Sequence, residues 1–203
     1  MTAVYNIYPP AFAVFGGMLA AAGIPIYIFA PTFYAENYGV GLTSIAAVLF
    51  WLRLIDAVQD PVFGWISENI GRERRFWVAF AVIILTGSMA LLFAVPPQTS
   101  PLLWFIISMT GLFSAFSFLR INFYAQGITA AGDLPGGHMQ LAAWRETGAL
   151  IGICLASVAP GLFMIWTGKP MLLFVLAFGF LGLISFWMMK NQWVVLIKRE
   201  PSN

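Results

Sequence analysis

Long apolar runs, separated only by short polar connections, dominate this chain. Hydrophobic residues make up 61% of the 203 positions and charged residues only 9%, whereas soluble domains have about 45–50% apolar and about 25% charged residues. A water-exposed surface cannot be built from that composition. Because a bilayer core offers no water to backbone polar groups, an apolar run of about 20 residues crosses it as a helix. The sequence therefore predicts an all-α integral membrane protein.

Six runs are long enough to cross a bilayer. They cover approximately residues 11–33, 42–67, 76–95, 102–124, 139–165 and 170–189. We therefore predict one six-helix transmembrane domain over residues 1–190. Residues 191–203 are too few to cross again, and their apolar start favours a cytoplasmic tail that lies at the membrane interface.

Small residues and prolines mark the first span. Gly16 and Gly17 predict a face where another helix approaches closely, and Pro25 and Pro31 predict a bend in the outer half of this span. The single cysteine, Cys154, lies inside the fifth apolar run. Because one cysteine cannot form a disulfide within the chain, we expect it to pack as a small residue.

Basic residues are distributed unevenly between the two ends of the spans. They follow spans two and six and are nearly absent from the opposite loops, where Lys169 is the exception. Cytoplasmic loops carry this excess in membrane proteins, so both termini are predicted to be cytoplasmic. The residues that set this orientation are Arg72, Arg74, Arg75, Lys190, Lys198 and Arg199.

Three ionisable residues lie inside span two. Each charge near the bilayer centre costs about 2.5–3.5 kcal/mol on insertion scales and therefore requires a partner or a polar cavity. At about 100° per residue, Arg53, Asp56 and Asp60 share one helix face. The two carboxylates suit Na⁺ or a shared proton. The alternative is a structural ion pair between Arg53 and Asp56 that only holds helices together.

Three further charges fall at a depth similar to that of Asp60. They are Arg120 in span four and Arg145 with Glu146 in span five. Three basic and three acidic residues would then converge in one polar pocket, which is less costly than unpaired charges in hydrocarbon. For Arg120 the alternative is snorkelling to the cytoplasmic surface, because it lies near the predicted end of span four.

Aromatic residues are abundant and offer flat surfaces on which a sugar ring could stack. Tyr124 and Trp144 are the candidates beside the charged positions, and Tyr27 and Trp51 are two others. Most aromatic residues in such a chain face lipid or anchor the interface. The net charge of +2 gives no basic arm for nucleic acid. We found no nucleophile–base pair, phosphate-binding glycine motif or metal-ligand spacing, so neither an enzyme nor a cofactor is expected.

One stretch resembles a known family. The pattern Arg53-x-x-Asp56-Ala-x-x-Asp60-Pro-x-x-Gly64-Trp resembles the second helix of melibiose-permease-like transporters, the glycoside–pentoside–hexuronide:cation symporters of the major facilitator superfamily. The following Gly64-x-x-x-Glu68-x-x-Gly71-Arg72-x-Arg74-Arg75 resembles the signature of that superfamily between helices two and three. The resemblance spans the chain but only half of the family's usual length.

The resemblance implies a fold and roles for particular residues. The fold would be the N-terminal half of the transporter, two inverted three-helix repeats, and the substrate site would lie between this half and a second one. Asp56 and Asp60 would bind and couple the cation. Arg53, Arg120, Tyr124, Trp144 and Arg145 would contact substrate, and Gly64, Glu68, Gly71, Arg72 and Arg75 would form the signature loop.

One departure from the family pattern bears on the substrate. Where melibiose permeases have a sugar-binding aspartate in helix four, this sequence has Arg120, which favours a solute that is anionic or otherwise unlike melibiose. The leading hypothesis is a symporter subunit in a bacterial inner membrane, moving a sugar or related solute with Na⁺ or H⁺ and completed by a second copy or a separate partner. The alternative is a membrane scaffold or assembly factor that has lost transport.

The charge asymmetry predicts the accessibility of two loops. In a variant without Cys154, a cysteine introduced at Gly71 should react only with a membrane-permeant maleimide in intact cells. A cysteine at Gln98 should react with an impermeant maleimide, because that loop is expected outside. Labelling of the Gly71 position from outside would overturn the predicted orientation.

Overall fold

The computed structural model describes residues 7–132 and 137–193, except for the side chain of Arg72. Within those ranges every regular element is helical. In chain order they are α1 (Pro9–Ile24), a π-helical segment (Pro25–Phe29), α2 (Ala30–Tyr38), α3 (Leu42–Asn69), a 3₁₀ turn (Gly71–Glu73), α4 (Arg74–Phe93), α5 (Pro101–Ala131), α6 (Gly137–Trp166) and α7 (Pro170–Met189).

The predicted six-span architecture is confirmed. The described residues contain six helical stretches that are long and apolar enough to cross a membrane, and the first of them runs continuously from Pro9 to Tyr38. Its hydrogen bonding changes to the π pattern at Pro25, where the ring nitrogen has no proton to donate to the preceding turn. The irregularity expected in the outer half of this span therefore falls on its first proline.

Local sequence explains several helix ends. Gly39 follows α2 with φ of 65°, a left-handed conformation that glycine adopts without steric cost. The Ser100 hydroxyl accepts a hydrogen bond from the Leu103 N–H at 3.4 Å and so caps α5, whose first residue is Pro101. A proline also begins α7. We refer to the end carrying residues 70–75 as the basic end, and to the end carrying residues 39–41, 94–100 and 167–169 as the opposite end.

The end predicted for span four was wrong. We expected it near Tyr124, but α5 continues to Ala131. The polar residues in the last turns do not mark a helix end, because Gln126 is fully buried against other helices. Arg120 therefore lies eleven residues before the end of the helix, or about 16 Å along its axis. That depth places it well inside the span and removes the reason for expecting it at the surface.

Backbone contact between α1 and α6 holds the centre of the bundle. A Cβ atom built on Gly17 would lie 2.8 Å from the Gly148 carbonyl oxygen, and one on Gly16 would lie 3.0 Å from that of Arg145. Cβ atoms on Gly148 and Gly152 would overlap the backbone of α1. The close approach expected at Gly16 and Gly17 is confirmed. Because of it, the segment of α6 that carries Arg145 packs directly against α1.

The helices differ in how much of their surface the bundle covers. Among the six described spans the first is the most buried, whereas α3 and α6 are the least buried. Cys154 on α6 is exposed, so the expectation that it packs inside was wrong. It lies on a helix face that the described helices leave open.

The chain after α7 folds back onto α1. The backbone N–H of Tyr8 donates to Gln192 Oε1 at 3.1 Å, and the Trp193 ring meets Phe15 edge-on with 5.5 Å between ring centroids. The start of the predicted interfacial tail therefore packs on protein. Residues 194–203 lie outside the described residues, so the remainder of the tail stays a prediction.

The α1–α6 contact predicts a large difference between two glycines of one helix. Gly148→Ala should lower the free energy of unfolding by about 1–3 kcal/mol, because the new methyl group meets rigid backbone. Gly161→Ala should be neutral, because a Cβ atom there meets nothing within 4 Å. Thermal unfolding of the two purified variants measures the difference. Equal midpoints would show that α1 and α6 are not in backbone contact.

Candidate functional site

An ion pair joins the middle of α3 to the middle of α5. Arg120 Nη2 lies 3.0 Å from Asp60 Oδ2, and each side chain is 35% exposed. The other oxygen of the same carboxylate, Oδ1, accepts a hydrogen bond from the Ser117 hydroxyl. One turn away, the Ser114 hydroxyl donates to Gln59 Oε1 at 3.1 Å. Two sets of polar contacts, one at Asp60 and one at Gln59, therefore hold α3 and α5 together within an apolar bundle.

A second pair lies one turn from Asp60, toward the opposite end. Arg53 Nη1 lies 3.6 Å from Asp56 Oδ2 and donates to the Tyr27 hydroxyl at 2.7 Å. The Asp56 side chain is 6% exposed, against 58% for Arg53. Asp56 Oδ1 is buried and makes no hydrogen bond within the described residues. This oxygen is free to bind a proton or a small cation.

Pro61 leaves one backbone carbonyl of α3 without its usual hydrogen bond. It lies inside α3 and has no N–H to donate to the Ala57 carbonyl one turn earlier. The carbonyl therefore lacks its usual helical partner between Asp56 and Asp60. Hard cations such as Na⁺ prefer carboxylate and carbonyl oxygens, so the proline at this position fits a cation site.

The third pair lies on α6. Arg145 donates to Glu146 Oε1 from Nε at 3.0 Å and from Nη2 at 2.8 Å. Its guanidinium carbon lies 4.3 Å from the centre of the Tyr124 ring, a favourable cation–π geometry. The six intramembrane charges thus form three pairs.

A small cavity lies between Arg120 and the Arg145–Glu146 pair. Its volume is about 130 Å³, and Arg120, Tyr124, Arg145 and Glu146 line it beside Gly16 of α1. The ion pairs leave donor groups on both guanidinium ions available. Two such groups facing one space can hold a planar or tetrahedral anion through several charge-assisted hydrogen bonds.

Not every predicted contact residue reaches this cavity. Trp144 is 41% exposed and Trp51 is 60% exposed, and neither lines the cavity. Tyr27 accepts a hydrogen bond from Arg53 and does not line the cavity. The structure therefore brings Arg120, Tyr124 and Arg145 together at one cavity, and Asp60 is joined to this group through Arg120. Arg53, also predicted to contact substrate, pairs with Asp56 and does not line the cavity.

The predicted signature residues lie at the basic end. Gly64 is within α3, and Glu68 is exposed near its end. Gly71 begins the 3₁₀ turn with φ of 53°, and Arg75 is exposed at the start of α4. Arg72 lies in the turn, but its side chain is not described.

Sequence reasoning gave no site role to the arginine between them. Arg74 is 2% exposed and donates from Nη2 to the Ser67 carbonyl at 2.7 Å and from Nη1 to Gln126 Oε1 at 3.5 Å. The Ser67 hydroxyl in turn donates to Asn122 Oδ1 at 2.9 Å. A cation at the last turn of α3 complements the helix dipole. This cluster ties the basic end of α3 to α5.

A signal for part of this network was present in the sequence. Ser117 precedes Arg120 by three residues, and Asn122 precedes Gln126 by four, which places each pair on one face of an apolar helix. Buried polar groups require partners, so such spacing indicates contact with another helix. It does not indicate which helix supplies the partner.

A bundle of six membrane-spanning helices with paired charges and a cavity at mid-depth defines a multi-pass membrane protein of the transporter class. The comparisons with known proteins agree. Residues 10–200 match the MFS/sugar transport protein family, and the chain belongs to that family. It is therefore a member of a transporter family and not of an enzyme family.

A curated relative has a narrower description. The chain is 27% identical over 172 residues to the "Putative sulfoquinovose importer" of Salmonella typhimurium. The match covers 76% of this chain and 35% of that protein, so the chain spans about a third of its relative's length. No solved structure matches.

Proposed function

We propose that the protein is one half of a secondary transporter that moves an acidic sugar or related organic acid together with Na⁺ or H⁺. The observation that carries this proposal is the cavity lined by both Arg120 and Arg145, with Arg120 also paired to Asp60. A neutral sugar needs no guanidinium pair. A carboxylate or sulfonate would bind both guanidinium ions through geometrically matched hydrogen bonds.

The pair between Asp60 and Arg120 supplies a mechanism for coupling. An arriving acid competes with the Asp60 carboxylate for the Arg120 guanidinium. Once Asp60 is released, it and Asp56 carry two negative charges one turn apart, and a cation or proton between them relieves the repulsion. Binding of the acid would therefore raise the affinity for the cation, and binding of the cation would raise the affinity for the acid.

Two further observations support the acidic class of substrate. The Salmonella relative's printed name refers to sulfoquinovose, a sulfonated sugar. In this chain Arg120 lies where the melibiose permeases have an aspartate, which reverses the charge offered to the solute.

We place the protein in a bacterial inner membrane with both termini in the cytoplasm, as the basic residues at one end favour.

A second six-helix half completes this proposal. The least buried described spans are α3 and α6, and they carry Asp56, Asp60 and Arg145. A second copy or a separate chain packed on these helices would enclose the site between two halves, as in transporters built from repeats. A chain purified as a monomer that transports no solute would support the scaffold alternative.

The coupling role of Asp60 predicts a specific loss. Asp60→Asn should abolish cation-dependent uptake in proteoliposomes and leave the amount of protein in the membrane unchanged, because the amide can neither take up a proton nor balance the charge of a bound cation. Glu73→Gln is the matched control, since Glu73 is an exposed acid in the 3₁₀ turn. Unchanged, ion-dependent uptake by Asp60→Asn would make this carboxylate structural.

The role of Arg120 predicts loss confined to one class of solute. Arg120→Gln should lower uptake of glucuronate at least about tenfold relative to glucose, because charge-assisted hydrogen bonds to the carboxylate are lost. Arg120→Lys should retain part of the preference, since the charge remains without the planar fork. An equal loss for both sugars would assign Arg120 to the ion pair alone. If uptake of neither sugar falls, Arg120 does not contact the solute.

A further inference from the structure

A second, larger cavity lies at the opposite end of the bundle. Its volume is about 850 Å³, and the ends of α2, α4, α6 and α7 line it. Aromatic side chains, including Phe29, Phe33 and Phe93, form part of its wall. None of these residues belongs to the charge pairs described above.

Two opposite charges line this cavity without contacting each other. Glu36 lies near the end of α2, and Lys169 immediately precedes α7. Both are exposed, and within the described residues neither forms an ion pair. The cavity thus offers one anionic and one cationic group separated by more than an ion-pair distance. A ligand that carries both charges would satisfy both groups.

An apolar groove lies between α6 and α7. It measures about 550 Å³, and its lining is almost entirely hydrocarbon, including Leu155, Leu162, Phe178 and Leu181 beside Cys154. Gly152 and Ala156 also line it. Nothing in this lining would hold a polar solute.

The groove adjoins the cavity. On one face of α7, Pro170 and Met171 line the cavity and Phe174, one turn further on, lines the groove; on α6, Phe163 lines the groove and Met164 lines the cavity. The ring of Phe29 in the cavity meets that of Phe174 edge-on, with 6.4 Å between centroids. The charged cavity at the opposite end and the apolar groove between α6 and α7 are therefore neighbours at the start of α7.

We propose that this surface binds a zwitterionic phospholipid, with its ammonium group at Glu36, its phosphate at Lys169 and one acyl chain in the α6–α7 groove. A soluble zwitterion would leave the groove empty, and a hydrocarbon chain alone would leave both charges unpaired. An anionic lipid would match Lys169 and leave Glu36 opposed to its own charge. The phospholipid satisfies all three features and stabilises the packing of α7 against α6.

Native mass spectrometry of the full chain in detergent tests this site. Delipidated protein is mixed with equal amounts of phosphatidylethanolamine, phosphatidylglycerol or diacylglycerol, and the retained lipid is counted. The zwitterionic lipid should be retained about fivefold or more over the anionic one, as expected for a partly exposed charge contact. Equal retention of the two phospholipids would overturn the assignment of the headgroup.

Two substitutions test the ammonium contact and the phosphate contact of the headgroup separately. Glu36→Gln should remove the preference for phosphatidylethanolamine over phosphatidylglycerol, and Lys169→Gln should lower the retention of both, because each phosphate loses its partner. Because both side chains are exposed, neither change disturbs packing. Glu73→Gln and Lys190→Gln, which remove charges at the basic end, should leave retention unchanged. If these controls lower retention as much as the two site variants, binding reflects overall charge and the site is absent.

The native cysteine reports on the groove separately. A bound acyl chain should slow maleimide labelling of Cys154, and Lys169→Gln should restore the rate seen in delipidated protein. Protection that follows dimer formation without added lipid would instead show that a second copy occupies the groove. None of these measurements requires transport, so the lipid site and the proposed transport function succeed or fail independently.

Discussion

The Asp60–Arg120 ion pair is the interaction on which the interior of this bundle depends. A charge left alone in hydrocarbon costs about 2.5–3.5 kcal/mol on insertion scales, whereas these two residues are paired at 3.0 Å with 35% of each side chain exposed. The Ser117 hydroxyl fixes the remaining carboxylate oxygen. The buried Arg74 cluster holds the same two helices together at the basic end. Hydrogen bonds and an ion pair between polar side chains therefore hold α3 against α5.

A different kind of contact positions the second half of the site. Glycines on α1 and α6 bring the two backbones together, and Arg145 lies in the contacting segment of α6. Small residues allow such contact in membranes, where no hydrophobic force drives helices together. Packing therefore determines how far Arg145 lies from Arg120, and the cavity between them is a consequence of both contacts.

The sequence predicted the spans and the charges better than the contacts between helices. Apolar run length gave all six helices, but it ended span four too early, because Gln126 is buried by Arg74 and so does not mark a membrane surface. Helical spacing placed Arg53, Asp56 and Asp60 on one face. It could not show that Ser117 would bind Asp60, or that Gly148 would meet α1. Those contacts depend on which helices become neighbours, and a single sequence does not contain that information. Cys154 was misplaced for the same reason.

The central claim is that an acid takes the Arg120 guanidinium from Asp60, so that a cation can bind the released Asp60 carboxylate and each ligand favours the other. Calorimetric titration of the assembled protein with glucuronate, in Na⁺ and K⁺ buffers and at two pH values, tests it most directly. The coupling ion should raise the affinity for glucuronate, and glucuronate should raise the affinity for that ion by the same factor. Affinities for glucuronate that are identical in every buffer would contradict the account.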